Sequence, residues 1–212
     1  MDTQLQPPEQ PAYPVRFEAD YPESLSRLST FFRLILLIPL AIVVGLLSQT
    51  DLFGRGADDA VTVSFGALGS LVLVHWIAVF LRQRPVVWIF DTIVHIQRFT
   101  LRASTYFLLM TDRYPPFEGD WPVRYEVERP ETLGRWKILV WKVITAIPHL
   151  FLLIALGFAT VVVTIITWFA IMFTGRFPRG LYDFVAGVLR WEARVTAYVL
   201  SLTDEYPPFS LS

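Results

Sequence analysis

The chain contains no cysteine among its 212 residues. Disulfides, iron–sulfur clusters, thiolate zinc sites and cysteine nucleophiles are therefore excluded together. Charged residues are also scarce, at 17% against about 25% in soluble domains, and the net charge of −1 provides no basic field for nucleic acid. The sequence shows no serine-hydrolase elbow, phosphate-binding loop, dinucleotide glycine pattern or metal-ligand spacing. It therefore predicts a protein that is not an enzyme, with no cofactor, no metal and no nucleic-acid partner.

A signal peptide is missing as well. The first residues are polar, rich in proline and acidic rather than basic, without an apolar core or a small-residue cleavage site. We interpret residues 1–13 as a disordered tail. The first apolar segment would then act as its own uncleaved insertion signal.

The chain contains 54% hydrophobic residues and two copies of one sequence pattern. The repeated sequences are Pro14-Val15-Arg16-Phe17-Glu18 with Pro122-Val123-Arg124-Tyr125-Glu126, and Thr111-Asp112-Arg113-Tyr114-Pro115-Pro116-Phe117 with Thr203-Asp204-Glu205-Tyr206-Pro207-Pro208-Phe209. Self-similarity of this kind indicates repeated structural units. We expect membrane repeat 1 over 14–117, a linker over 118–121 and membrane repeat 2 over 122–212.

Each repeat begins with a short alternating stretch, around Phe17 and Tyr125, that predicts a half-buried strand. The two strands could pair across a pseudo-twofold axis. Apolar runs follow at 31–47 and 60–81 in the first repeat, and at 136–156 and 159–173 in the second. Proline within a helix removes a hydrogen bond, so Pro39 and Pro148 predict kinks. Residues 143–175 are short for two spans joined near Gly157, and a shallow re-entrant hairpin is the alternative.

The predicted fold class is therefore all-α integral membrane, with four transmembrane helices from two parallel tandem repeats. An interfacial amphipathic helix follows each repeat's spans, at about 85–110 and 178–202. Arginine and lysine concentrate on the side that carries both termini, which the positive-inside rule makes cytoplasmic. We expect a multi-pass protein of the bacterial inner (cytoplasmic) membrane.

Both amphipathic helices carry the same polar stripe. The stripe consists of Asp91, Arg98, Arg102 and Tyr106 in the first repeat, and of Asp183, Arg190, Arg194 and Tyr198 in the second. Two arginines four residues apart can grip one phosphate through charge-assisted hydrogen bonds, to which tyrosine adds a neutral donor. We therefore expect a site for an anionic lipid headgroup or an acidic partner, the alternative being a plain interfacial anchor.

Two further sets of residues are candidates. Asp112 and Tyr114, like Asp204 and Tyr206, stand in a Pro-Pro motif that either forms a polyproline-type ligand or folds back on the bundle with its aspartate capping a helix or pairing with an arginine. We favour the folded-back form because the motif also occurs inside the chain. The histidines at 75, 95 and 149 do not repeat, and a haem held by two of them is the less favoured interpretation.

The second repeat resembles a known family in its long C-terminal motif. Arg190-Trp191-Glu192-Ala193-Arg194 and the segment 203–209 are similar to a bacterial membrane family called domain of unknown function 4389. The resemblance extends over nearly the whole chain from Tyr13, more loosely in the first repeat, where Phe99 replaces the tryptophan. It implies a membrane protein and supplies no activity or catalytic residue.

The sequence thus predicts a non-enzymatic accessory or scaffold protein of the bacterial inner membrane. Its arginine stripes would contact anionic lipid or a membrane protein partner, and assembly into an oligomer is left open. The alternative is a small-solute transporter or channel at the repeat interface, favoured by the predicted kinked helices.

Overall fold

The computed structural model describes residues 13–48, 50–55, 61–65, 67–116, 119, 121–134 and 141–211. The elements in chain order are β1 (Val15–Ala19), α1 (Arg27–Ser48), β2 (Thr50–Arg55), β3 (Val61–Phe65), α2 (Ala67–Arg82), α3 (Val87–Phe107), β4 (Val123–Val127), α4 (Lys142–Thr174) and α5 (Arg179–Val199).

The two predicted strands are present and pair with each other. β1 and β4 form an antiparallel ribbon in which Phe17 lies opposite Tyr125. Alternate residues of both strands are buried, as period-two patterning requires. The prediction that these strands pair is therefore confirmed, and corresponding residues of the two repeated sequences meet at the centre of the ribbon.

The elements form three layers. The ribbon contacts α3 through β4 and α5 through β1. On their other side α3 and α5 contact the apolar helices, α3 touching α1 and α2 while α5 touches α4. The main core lies between the ribbon and the helices, and it includes Phe17, Ile93, Tyr125, Ile171 and Val185, each at most 2% exposed. The helices α3 and α5 thus separate the ribbon from the apolar layer.

Each half of the chain also completes a turn in the other half. The Leu25 amide donates to the Gly175 carbonyl at 2.9 Å, and the Leu133 amide donates to the Gln83 carbonyl at 3.0 Å. Gly175 and Gln83 follow α4 and α2 and both have positive φ, 70° and 55°. A left-handed residue after a helix turns the chain back and frees a carbonyl, which here accepts from the opposite half.

The predicted four-span fold class is wrong. Within the described residues, α4 alone is long and apolar enough to cross a membrane, with a mean hydropathy of 2.7. The first repeat's second run, 60–81, splits into β3 and a helix of 16 residues, about 24 Å long at 1.5 Å per residue, which is short of the ~30 Å hydrocarbon core. The alternation and β-branched residues of Val61–Phe65 favour a strand there.

The predicted hairpin near Gly157 is also absent. α4 runs through this position and through Pro148 as one helix of 33 residues. A single glycine costs a helix only about 1 kcal/mol relative to alanine, so without polar turn residues beside it Gly157 does not end one. The chain is accordingly neither all-α nor two pairs of parallel spans, because the β1–β4 ribbon and the β2–β3 hairpin are part of its architecture.

Candidate functional site

The two polar stripes of the amphipathic helices are not continuous charged surfaces. Asp91 pairs with Arg129 at 2.6 Å, whereas Asp183 is exposed. At the other end of each stripe the tyrosine is buried beneath a cation: the Arg33 guanidinium lies 4.6 Å from the Tyr106 ring, and the Lys142 ammonium lies 5.1 Å from the Tyr198 ring. The four predicted residues of a stripe therefore serve different contacts.

The first arginine of each stripe holds the ribbon. Arg98 Nε donates to the Tyr125 carbonyl at 3.1 Å, and Arg190 Nε donates to the Phe17 carbonyl at 3.2 Å. Since Phe17 and Tyr125 are cross-strand partners, the two guanidinium groups bind the ribbon at its centre from opposite halves. Burial also raises the pKa of the Tyr125 phenol, consistent with a dry interface.

A cleft of about 470 Å³ opens beside the second arginine of α3. We call it the first cleft, and its lining includes Asp20, Arg98, Arg102, Gly119, Trp121, Val123, Arg124, Tyr125 and Glu126. Arg102 is 7% exposed and donates from its two Nη atoms to the Pro116 and Gly119 carbonyls at 3.2 and 3.0 Å. Arg124 at the cleft's edge reaches Asp20 at 3.1 Å.

Two buried donors in the first cleft have no acceptor within the described part of the chain. They are Arg102 Nε and Trp121 Nε1. Burial lowers the pKa of the Arg102 guanidinium, and the neighbouring charge of Arg98 lowers it further. The three arginines of the cleft outnumber its two carboxylates, Asp20 and Glu126, so an anion bound there would offset the remaining positive charge.

The corresponding cleft on α5 is more occupied. Its volume is about 350 Å³ and its lining includes Tyr13, Arg16, Arg190 and Arg194. Arg190 Nη1 donates to the Leu211 carbonyl at 2.8 Å, and the Tyr13 hydroxyl donates to the Glu205 carbonyl at 3.1 Å. Carbonyl oxygens of the C-terminal segment thus accept the hydrogen bonds that Arg190 and Tyr13 could otherwise donate to an anion. The two clefts are therefore not equivalent.

The Pro-Pro motifs fold back on the apolar helices. Asp112 accepts hydrogen bonds from the Ser26 amide and the Ser29 hydroxyl at the start of α1, and its carboxylate lies 2.6 Å from Arg33. Asp204 accepts from the Gly134 amide at 2.5 Å and lies 2.8 Å from the Lys142 ammonium.

The tyrosines of the same motifs pack edge-on against the stripe tyrosines. The ring centroids of Tyr114 and Tyr106 lie 5.6 Å apart, and those of Tyr206 and Tyr198 lie 5.8 Å apart. The folded-back interpretation is therefore the one the structure bears out, in place of a free polyproline ligand. Phe117 lies outside the described residues.

The histidines of the apolar helices are occupied by internal contacts. His149 Nδ1 accepts from Trp191 Nε1 at 3.1 Å, and its ring stacks on Phe209 at 3.9 Å. His75 Nε2 lies 3.2 Å from the Ser201 carbonyl. In each histidine one ring nitrogen is therefore engaged by a residue of the C-terminal half. No cluster of metal-ligating side chains occurs in the described ranges.

A family model described as "Domain of unknown function (DUF4389)" matches residues 137–210. The match covers less than half of the chain, and this part of the chain is similar to that family. No curated protein and no solved structure matches the chain. The resemblance seen in the C-terminal motif is thus confirmed over α4, α5 and the final Pro-Pro motif, and the family's description assigns no activity.

The first cleft lies in the half that precedes the DUF4389 match. Arg98 and Arg102 were predicted from the stripe, but Arg124 and Trp121 were not singled out. Arg33 and Lys142 were also not predicted as the cations that hold the Pro-Pro motifs. Each lies six residues before the helix proline, Pro39 or Pro148, so a shared offset in the repeated sequence was the available signal.

Proposed function

We propose that this protein is a non-enzymatic accessory protein of a bacterial inner membrane that binds an anionic group in its first cleft. The observation that carries the proposal is the pair of buried donors, Arg102 Nε and Trp121 Nε1, beside Arg98 and Arg124 in one cleft. Buried donors are almost always hydrogen-bonded in folded proteins. A phosphate or carboxylate is the group that such donors and guanidinium side chains recognise.

Membrane association is supported by the apolar helices. In the most hydrophobic stretch of α4 only 11% of residues are buried, and large side chains such as Phe151, Phe158 and Phe173 are more than 70% exposed. Monomeric soluble proteins rarely expose apolar surface on this scale. Arginines are exposed at the helix ends, which suits the cytoplasmic leaflet and its anionic lipids.

The transporter alternative has less support. Ionisable side chains of the apolar helices that a solute pathway would use include His75, His149 and Lys142, and each of these makes internal contacts. Lys142 in particular donates to the Thr203 carbonyl at 2.7 Å in addition to its ion pair. Side chains fixed in this way hold the fold together and leave fewer groups to bind a moving solute.

Phosphate titration tests the cleft directly. The protein in zwitterionic nanodiscs would be titrated with inorganic phosphate while tryptophan fluorescence is followed, with Trp121→Phe identifying the signal of the cleft. Arg124→Gln is the test variant and Arg16→Gln its control, since these side chains are 61% and 58% exposed at equivalent ribbon positions. Because Arg124 is largely exposed, its contact with the phosphate is screened by water and is worth at most about 1 kcal/mol, so binding should weaken about two- to fivefold, and only in Arg124→Gln.

The identity of the anionic group is tested by extraction into native-lipid nanodiscs. Mass spectrometry would record retained lipids and co-purifying proteins for wild type, Arg124→Gln and Arg16→Gln. Enrichment of one anionic lipid or one acidic protein that is lost only in Arg124→Gln would identify the bound class. Absence of saturable phosphate binding to the wild type would refute the cleft as an anion site.

A further inference from the structure

The longest apolar helix, α4, contacts the body of the protein near both of its ends. Its buried residues form one stripe, which consists of Lys142, Ala146, His149, Thr160, Thr167 and Ile171. At its N-terminal end Lys142 pairs with Asp204, and at its C-terminal end Ile171 is fully buried while Gly175 accepts from Leu25. Trp168 Nε1 donates to the Thr30 carbonyl between them. α4 is therefore fixed against the body at both ends and does not project from it.

The side of the protein opposite the apolar helices is charged. The outer side chains of the ribbon are 58–70% exposed, and they are Arg16, Glu18, Asp20, Arg124 and Glu128. α3 and α5 separate this ribbon from α1, α2 and α4. One broad face of the molecule is thus apolar, and the opposite broad face carries charges of both signs.

These two faces determine how the protein can meet a bilayer. The two ends of β1 approach the two ends of α4, because the Tyr21 hydroxyl donates to the Phe177 carbonyl and the Tyr13 hydroxyl donates to the Glu205 carbonyl, next to the Asp204 that pairs with Lys142. If α4 crossed the membrane along its normal, the ribbon would therefore lie beside it at the same depth, with its exposed charges in hydrocarbon. Charged side chains at that depth are costly and are found paired and facing a bundle interior or a water-filled cavity. With α4 parallel to the membrane surface, the same charges lie in water and the apolar helices lie in lipid.

We therefore infer that the protein binds one leaflet with α1, α2 and α4 lying in the membrane plane, the charged ribbon facing the cytoplasm. The occupant of the apolar face is an anionic lipid surface. Exposed arginines surround that face at the helix ends, at Arg27, Arg82, Arg84, Arg176 and Arg179. Exposed tryptophans, Trp88 and Trp141, lie at the starts of α3 and α4. This is the composition of helices that lie in the headgroup and acyl boundary.

The inference rests on the membrane association in the proposed function but not on the anion cleft. It also places the first cleft, which shares Arg124 and Glu126 with the ribbon, on the aqueous side. A group bound there would then come from the cytoplasm or from a partner's polar region.

Spin-label depth measurements test the orientation of α4. Because the chain has no cysteine, single-cysteine variants need no background removal. Labels would be placed on one exposed face of α4, at Ile144, Phe151, Phe158, Ile165 and Phe173, each more than 50% exposed. Accessibility to oxygen and to a water-soluble nickel complex would be compared in liposomes containing phosphatidylglycerol, with Glu18→Cys as the ribbon control.

The two orientations give different depth profiles. Ile144 and Phe173 lie about 44 Å apart along the helix, more than the ~30 Å hydrocarbon core. For a helix in the plane, all five labels should report a similar shallow depth and the Glu18 label should be in water. A maximum depth at Phe158 with both outer labels in water, or a Glu18 label in hydrocarbon, would overturn the inference while leaving membrane association intact. Labels accessible to nickel at every position would overturn both proposals.

Discussion

The ion pair between Lys142 and Asp204 makes a quantitative prediction about stability. The Lys142 side chain is 1% exposed, its ammonium lies 2.8 Å from the Asp204 carboxylate, and it also donates to the Thr203 carbonyl. Lys142→Met keeps a long unbranched side chain but removes the charge and the donor. Asp204 is then left as a partly buried carboxylate whose remaining described partner is the Gly134 amide.

The expected loss follows from what remains around Asp204. Removing one member of a buried pair costs about 3–5 kcal/mol, because an uncompensated charge stays in the interior. Asp204 is 21% exposed, so water reaches it and the lower end, about 3 kcal/mol, applies. For a protein of this size 1 kcal/mol shifts Tm by about 2–4 °C, which gives a decrease of about 6–12 °C. Lys142→Met with Asp204→Asn should recover at least half of that decrease, since no charge is left unpaired.

Thermal unfolding followed by tryptophan fluorescence measures this effect, in nanodiscs of fixed lipid composition. Val143→Met is the matched control, because Val143 is the neighbouring residue of α4 and is 46% exposed. Its Tm should lie within 2 °C of the wild type, as is usual for surface substitutions of about 0.5 kcal/mol. If Lys142→Met unfolds at the temperature of Val143→Met, or if the double variant is less stable than the single one, the reasoning is refuted.

Two further predictions concern the packing of α5 and the ribbon. In Gly187→Ala the new Cβ would lie 2.8 Å from the Leu211 carbonyl oxygen. We expect the substitution to destabilise the protein by about 1–3 kcal/mol and to make carboxypeptidase release the C-terminal residues faster. Gly180 has open space at the position of a Cβ, so Gly180→Ala should release these residues at the wild-type rate. Burial raises the pKa of Tyr125 and Tyr182 above their ordinary value of 10.0. The folded state therefore retains protons that the unfolded state loses, so stability is complete below about pH 10 and decreases as the pH rises further. Absorbance at 295 nm should show these phenols ionising together with unfolding, and their ionisation in the folded protein near pH 10 would contradict the assigned burial.

The ribbon could be predicted from the sequence because its pattern is local. Alternation around Phe17 and Tyr125 indicates one buried side in each strand, and the repetition of the sequence allowed the two strands to pair across a pseudo-twofold axis. The amphipathic helices were likewise recognisable, since their charged residues recur at helical spacing. α3 and α5 begin and end within a few residues of the predicted ranges.

The membrane arrangement could not be predicted in this way. One long helix and two short helices give the same hydropathy pattern in an apolar run, and Gly157 alone does not distinguish the two arrangements. The direction in which the stripe arginines point depends on Tyr125 and Phe17, which are distant in the chain. Hydropathy also cannot show that α4 is fixed at both ends, since that depends on Asp204 and Leu25.

The reciprocal contacts between the halves determine when folding can finish during synthesis. The Leu25 amide receives its acceptor only when Gly175 has been made, and β1 has no ribbon partner before Val127. At about 5–20 residues per second, the ribosome needs on the order of 10 s to reach that acceptor. Until then α1 lacks its contacts with α4, and during the earlier part of the delay β1 has no strand to pair with. The nascent first half therefore requires a lipid surface or a chaperone before its own second half exists. A chain released early would expose an unpaired edge strand that protein quality control can recognise.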